Sequence, residues 1–92
     1  MTIEHVTGKD AGKIMLYALS TCVWCKKTKN LLDELGVQYD YTHVDLLQGE
    51  ERKNAIAAIQ KWNPAGSVPT LILNDKRSIL GFKENEIREA LA

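Results

Sequence analysis

The chain has 92 residues, of which 45% are hydrophobic and 26% are charged, as in ordinary globular proteins. Its 12 basic and 12 acidic side chains cancel, so the net charge gives no support to nucleic-acid binding. No apolar run approaches the roughly 20 residues that a membrane span needs, and the polar N-terminus lacks a signal-peptide pattern. We therefore expect a single cytoplasmic domain over residues 1–92, with neither a membrane nor a nucleic-acid partner.

Residues 1–12 form a polar N-terminal arm, to which we assign no chemical role. Within it, residues 2–6 could form a short strand and residues 7–12 have the composition of a loop. A near-continuous apolar run follows at residues 13–19. Such a run is typical of a strand that is buried on both faces, and we expect it to be the central strand of a sheet.

The only two cysteines of the chain, Cys22 and Cys25, come directly after this strand. Ser20-Thr21 gives a turn and helix-cap signal, and a helical pattern then runs over residues 23–35. Residues three apart on a helix lie roughly 5–6 Å apart at Cβ, which is close to the separation that a disulfide needs. The pair can therefore close into a disulfide and reopen with little movement of the backbone.

The position of Cys22 at the start of a helix suits a nucleophile. Unpaired backbone N–H groups and the positive end of the helix dipole stabilise a thiolate there. We predict that Cys22 attacks a substrate disulfide and that Cys25, one turn further on, resolves the mixed disulfide. Two alternatives stay open: a metal or cluster site shared between two chains, and a pair of inert thiols. Zinc normally takes four ligands, and the chain adds only His5 and His43, so we expect no metal.

The remaining elements complete a small α/β domain. They are a strand at residues 37–46, a helix at 49–62, a loop at 63–67, a hairpin of strands at 71–73 and 77–81, and a helix at 84–91. The buried face of the middle helix is expected to comprise Ala55, Ile56, Ile59 and Trp62. The order β-α-β-α-β-β-α predicts a four-stranded mixed sheet with helices on both faces.

This order of elements, with Cys-x-x-Cys at a helix start and Val68-Pro69-Thr70 before a hairpin, resembles the thioredoxin fold. It is most similar to the glutaredoxin branch, and the resemblance covers residues 13–91. The resemblance implies that Pro69 is the cis-proline of the family and that its loop lies against the thiols. It also implies that the Val68 backbone pairs with an extended substrate peptide or with glutathione.

The chain departs from the wider superfamily at three places. Thioredoxins carry a buried Asp six residues before the first cysteine, where this chain has Leu16, as suits glutaredoxin-like members. Glutaredoxins commonly place Pro and Tyr between the cysteines, where this chain has Val23 and an aromatic, Trp24, that we expect to be exposed. Glutathione-using members carry Gly-Gly and an Asp near the last helix, whereas here Gly81 is followed by Phe82. This Gly-Phe-basic run resembles the glutaredoxin-like electron donors of ribonucleotide reductase.

The resemblance implies a monomeric dithiol–disulfide oxidoreductase that needs no cofactor beyond its redox-active Cys22–Cys25 disulfide. Its substrates would be protein disulfides such as that of ribonucleotide reductase, and a flavin- or ferredoxin-linked reductase would restore the dithiol. Glutathione-dependent deglutathionylation is an alternative, and so is a carrier of a 2Fe-2S cluster, because Val23 replaces the proline that discourages cluster binding. The residues expected to contact the substrate are Thr21, Val23, Trp24, Val68, Pro69, Gly81 and Phe82.

Overall fold

Our computed structural model describes residues 3–91 of the chain. In chain order, its elements are β1 (Glu4–Val6), β2 (Ile14–Ala18), α1 (Val23–Leu35), β3 (Tyr39–His43), a 3-10 helix (Val44–Leu46), α2 (Gly49–Trp62), β4 (Thr70–Leu73), β5 (Arg77–Leu80) and α3 (Glu84–Leu91). The sheet has the strand order β1-β3-β2-β4-β5. The β2–β3 pair is parallel, and the β1–β3, β2–β4 and β4–β5 pairs are antiparallel. This is the thioredoxin fold that the sequence predicts.

Strand β2 lies in the middle of the sheet and carries side chains of both hydrophobic clusters. Leu16 packs in one cluster with Leu32 of α1 and Ile87 of α3. Its neighbour Tyr17 packs in the other cluster, which includes Ile59 of α2. Because successive side chains of a strand point to opposite faces, β2 is covered on both sides, as its apolar run predicts. The helices therefore lie on both faces of the sheet, and the strand that leads into the cysteines is held from both sides.

Helix α1 has the bounds that the sequence predicts. Its inward stripe includes the buried residues Thr28, Leu31 and Leu32. The helix ends at Gly36, whose φ of 70° lies in the left-handed region that glycine adopts without strain. The Gly36 N–H donates to the Asp33 carbonyl at 3.1 Å. The helix that begins after Cys22 is thus held by the packing of its inward face, and it ends at a defined C-cap, Gly36.

The predicted count of four strands was wrong, because β1 adds a fifth. This strand pairs antiparallel with β3, and His5 lies opposite Asp40 with its Nδ1 2.6 Å from the Asp40 Oδ1. It is only 3 residues long, and its side chains are mostly exposed. The strand lies within residues 2–6, where the sequence allows a short strand, but its mostly exposed side chains give no alternation that marks it as part of the sheet. Residue 2, which the predicted strand included, lies outside the described residues.

Two further expectations need correction. The second predicted strand ends at His43 instead of residue 46, since Val44–Leu46 turns into a 3-10 helix. On α2, Ala55 and Ile59 are buried as expected and Trp62 is partly buried, but Ile56 is exposed. Ile56 lies about 100° around the helix from Ala55, beyond the edge of the buried stripe. No helix within residues 3–91 combines the length and the apolar character that crossing a bilayer requires.

Candidate active site

Cys22 occupies the N-cap position of α1. Its backbone is extended, with φ −86° and ψ 116°, and its Sγ accepts a hydrogen bond from the Cys25 backbone N–H at 3.2 Å. The Cys22 carbonyl accepts from the Lys26 N–H at 3.1 Å, which begins the helical ladder. A sulfur thus stands where helices usually carry a serine or aspartate oxygen. Backbone N–H groups and the helix dipole favour negative charge at that position.

Cys25 has the opposite environment. Both cysteines are free thiols, and Cys25 is only 2% exposed, whereas Cys22 is partly exposed. Burial raises the pKa of Cys25 to about 12, and its side-chain hydrogen bond to Cys22 acts in the same direction. Cys25 therefore stays protonated at neutral pH. The two thiols of the pair thus differ in both exposure and surroundings, although they are only three residues apart.

The loop before β4 carries the predicted proline. The Val68–Pro69 peptide bond is cis, which confirms what the resemblance implies. Pro69 is buried, and its carbonyl accepts a hydrogen bond from the Gly81 N–H at 2.9 Å. Val68 is partly buried and packs against the same hydrophobic cluster as Cys22. Val68 and Cys22 thus both pack against this one cluster.

An aromatic pair lies beside the thiols. Trp24 is 55% exposed, and its ring stacks on that of Phe82 with the centroids 6.0 Å apart and an interplanar angle of 26°. The Lys27 ammonium nitrogen lies 4.6 Å from the centroid of the Trp24 ring. Val23 is 61% exposed and Thr21 is also exposed. The sequence interpretation of Trp24 as an exposed aromatic is therefore confirmed, and Phe82 joins it from the chain segment before α3.

The comparisons with known proteins agree with this geometry. The glutaredoxin family profile matches residues 14–78. The chain belongs to the glutaredoxin family. The crystal structure of a glutaredoxin from Methanosarcina mazei Go1 is 54% identical, covers 98% of this chain and 87% of its own, and superimposes with a TM-score of 0.91. The methanoredoxin of Methanosarcina acetivorans is 60% identical, with 92% and 90% of the two chains covered and a TM-score of 0.90. A glutaredoxin from Archaeoglobus fulgidus is 34% identical, with 86% and 85% covered and a TM-score of 0.80.

Family membership and the cysteine geometry together define the chemistry of the site. The protein is a glutaredoxin-type thiol–disulfide oxidoreductase with a close pair of redox-active cysteines, Cys22 and Cys25. Within residues 3–91, no three His, Cys, Asp or Glu side chains come together in a way that could hold a metal ion. His43 packs edge-on against the ring of Tyr41, with the centroids 5.4 Å apart.

Two polar residues that support this glutaredoxin site escaped the sequence interpretation. Asp45 accepts hydrogen bonds from both the backbone N–H and the hydroxyl of Ser20, in the turn before Cys22. Asn63 is 4% exposed and donates to the carbonyl and the hydroxyl of Ser67, at 3.1 and 2.8 Å. Thr70 donates to the same carbonyl at 2.8 Å, so the loop that holds Val68 is tied from both ends. The contact of Asp45 spans 25 residues, and no local pattern signals a contact of that range.

The raised pKa of Cys25 predicts a pH dependence of stability in the reduced protein. The thiol ionises near pH 9.0 in the unfolded chain but only near pH 12 in the fold, so the fold binds more protons between these values. Stability from the neutral thiol is complete below pH 9 and is lost as the pH rises toward 12. Urea unfolding of reduced protein from pH 7 to 10.5 should show this decline. The decline should be smaller in Cys25→Ala, and an equal decline in both proteins would contradict the assignment.

Proposed function

We propose that this glutaredoxin reduces disulfides in protein substrates and is itself reduced by a protein disulfide reductase. The observation that carries the proposal is the asymmetry of the two thiols. Cys22 is partly exposed and caps a helix, whereas Cys25 is buried and protonated beside it. A nucleophile must reach the substrate as a thiolate, and a resolving thiol must hold its proton until the mixed disulfide has formed.

The proposed reaction transfers two electrons from the dithiol to the substrate. The Cys22 thiolate attacks one substrate sulfur, the substrate S–S bond breaks, and the released sulfur takes up a proton. Cys25 then loses its proton and attacks the Cys22 sulfur of the mixed disulfide. The second substrate sulfur leaves as a thiol after protonation, and the enzyme holds a Cys22–Cys25 disulfide. A flavin- or ferredoxin-linked reductase returns two electrons, and uptake of one proton restores the Cys22 thiolate and the Cys25 thiol.

The surroundings of the thiols favour a protein substrate over glutathione. Phe82 stands at the sequence position where glutathione-using members have their second glycine, and its ring is stacked on Trp24. We place an extended substrate segment along the Val68 backbone beside Pro69, with Thr21, Val23 and Gly81 at the edges of this groove. A disulfide-bearing segment of an enzyme such as ribonucleotide reductase fits this assignment. We propose further that the glutaredoxin acts as a monomer in the cytoplasm, where thiol pairs are kept reduced.

A side-by-side reduction assay tests the proposed electron donor. Oxidised protein is mixed with glutathione, with an NADPH-dependent flavin reductase, or with a ferredoxin-linked disulfide reductase, each at the same reducing capacity. We expect one of the two reductases to be at least about tenfold faster than glutathione, because discrimination by a protein interface readily exceeds 1.4 kcal/mol. Reduction by glutathione at the higher rate would assign the protein to glutathione-dependent chemistry instead.

The charges around Trp24 predict a preference for acidic substrate segments. The first turn of α1 has no acidic residue, although acidic residues stabilise that end of a helix, and Lys26 and Lys27 are exposed there instead. Lys27 also lies over the Trp24 ring. Peptide disulfides flanked by Glu should therefore be reduced faster than otherwise identical peptides flanked by Lys. The difference should shrink as the salt concentration rises.

Variants of this surface make the prediction quantitative. Lys27→Gln should lower kcat/KM for the acidic peptide about two- to fivefold, as expected for an exposed charge and a cation–π contact. Trp24→Ala should lower kcat/KM about tenfold for the acidic and the basic peptide alike, since the contact of the Trp24 ring with the peptide does not depend on charge. Lys53 is an exposed lysine on α2, and Lys53→Gln is the matched control. It should leave kcat/KM unchanged for both the acidic and the basic peptide. Equal losses in Lys27→Gln and Lys53→Gln would refute a local charge preference.

A further inference from the structure

We infer that Asp45 is a positioning residue for closure of the Cys22–Cys25 disulfide and that it acts by clamping Ser20. The inference concerns how readily the pair closes, and it depends on the dithiol chemistry of the proposed function but on no particular substrate or reductant. Asp45 lies in the 3-10 helix after β3, and Ser20 lies two residues before Cys22. Because β2 and β3 are parallel neighbours, both residues emerge at the same edge of the sheet.

Both carboxylate oxygens of Asp45 accept hydrogen bonds from a single residue, Ser20. Asp45 Oδ1 accepts from the Ser20 backbone N–H at 2.9 Å, and Oδ2 accepts from the Ser20 hydroxyl. The turn is closed from within by the Cys22 N–H, which donates to the Leu19 carbonyl at 3.2 Å. Hydrogen bonds to an ionised acceptor are the stronger kind, and two of them fix the main chain and the side chain of Ser20 together. The residue that leads into the nucleophile is thus held by the neighbouring strand.

The charge of Asp45 has an effect of its own, which has to be separated from the geometry of the clamp. Hydrogen bonds from the Ser20 hydroxyl and backbone lower the pKa of Asp45, and His43 acts in the same direction, so the carboxylate stays ionised at neutral pH. Its negative charge contributes to the raised pKa of Cys25. A negative charge near the pair opposes thiolate formation, so it does not assist the chemistry directly. By opposing thiolates, the same charge also favours the closed disulfide, so the geometric contribution of Asp45 is the part that a variant of Ser20 removes while the charge stays.

A held turn makes disulfide formation more favourable. Closing the pair joins the two sulfurs, releases two protons and passes two electrons to an oxidant, and the S–S bond accepts only a narrow range of Cβ separations and dihedral angles. If the turn is free, it must lose conformational freedom when the bond forms. If Asp45 already restricts it, less freedom is lost and the effective concentration of one sulfur near the other is higher. Removing the clamp should therefore make the disulfide easier to reduce.

The test is the equilibrium between each variant and oxidised and reduced dithiothreitol at pH 7, followed by trapping of the free thiols. Ser20→Ala should lower the equilibrium constant for disulfide formation about three- to tenfold, where tenfold corresponds to about 30 mV. Ser20→Thr keeps the hydroxyl and should stay within about twofold of the unaltered protein. Asp45→Asn should shift the constant at least as far as Ser20→Ala, because it removes one acceptor and also the charge that opposes thiolates.

Controls separate the clamp from general destabilisation and from a pure charge effect. Asp75→Asn removes a carboxylate that pairs with Lys13, in the turn between β4 and β5, and should leave the constant unchanged. If Ser20→Ala and Asp45→Asn lower only the melting temperature, the inference is overturned. It is also overturned if Asp45→Asn shifts the constant and Ser20→Ala does not, since charge alone would then be responsible. Every variant keeps both cysteines, so these outcomes do not depend on which reductant or substrate the protein uses.

Discussion

Replacing Cys22 with serine is expected to abolish disulfide reduction, with a loss of about 10³-fold or more in rate. A serine hydroxyl at the N-cap still accepts the helix hydrogen bond, so the fold should be preserved, but it is not ionised at neutral pH and forms no disulfide. Reduction of insulin or of a peptide disulfide, with dithiothreitol as the final donor, measures the effect. Circular dichroism checks that the variant is folded.

Cys25→Ser is the matched control, because it leaves the attacking sulfur and removes only the resolving one. This variant should react once and then stay joined to its substrate, because a serine hydroxyl cannot displace the substrate sulfur. Mass spectrometry should find a mixed disulfide through Cys22, which added dithiothreitol then cleaves. Full activity in Cys22→Ser would contradict the assignment of roles. Accumulation of the mixed disulfide in Cys22→Ser instead of Cys25→Ser would reverse the two roles.

The parts of this site that the sequence predicts are those encoded by neighbouring residues. A strand-like apolar run, a cap signal, two cysteines at helical spacing and a terminating Gly36 all lie between residues 14 and 36. The bounds of α1 agree with these signals, but the N-cap is Cys22 and not Ser20 or Thr21, because Ser20 bonds to Asp45 instead of to the helix. Pro69 is different, because its cis bond follows from the resemblance to a family and not from the local sequence. The family pattern therefore predicts the isomer of the Val68–Pro69 bond, which the local sequence does not determine.

The contacts that escaped prediction join residues far apart in the chain. Asp45 and Ser20 are separated by 25 residues, and they meet only because β3 pairs in register beside β2. The sequence allows a short strand at residues 2–6, but only the edge that β3 offers makes β1 the fifth strand of the sheet. The spacing of Ile56 from Ile59 predicts that it shares the buried face of α2, but only the packing of the helix determines where that face ends. The register between strands and the extent of a buried helix face are set only when the whole domain is assembled, so the sequence of one segment does not determine them.

Leu32→Ala is expected to destabilise the protein more than any surface substitution. Leu32 is fully buried, at 0% exposure, and packs in the cluster that contains Leu16, Cys25 and Ile87. Removing its side chain leaves a cavity in a close-packed core, which costs about 2–5 kcal/mol. A domain of this size is stable by only about 5–15 kcal/mol, so the melting temperature should fall by about 10 °C or more. Urea and thermal unfolding of the reduced protein measure both quantities.

The same substitution at Leu46 isolates the contribution of burial, because Leu46 is 65% exposed and the chemical change is identical. Leu46→Ala should change the free energy of unfolding by no more than about 0.5 kcal/mol. Leu32 lies two turns after Cys25 on α1, away from the helix start that carries Cys22, so its removal leaves both sulfurs in place as long as the protein is folded. Leu32→Ala should therefore keep its disulfide-reducing activity at low temperature and lose it when the fold melts. Similar losses of stability at the two leucines would contradict the placement of α1 against the core.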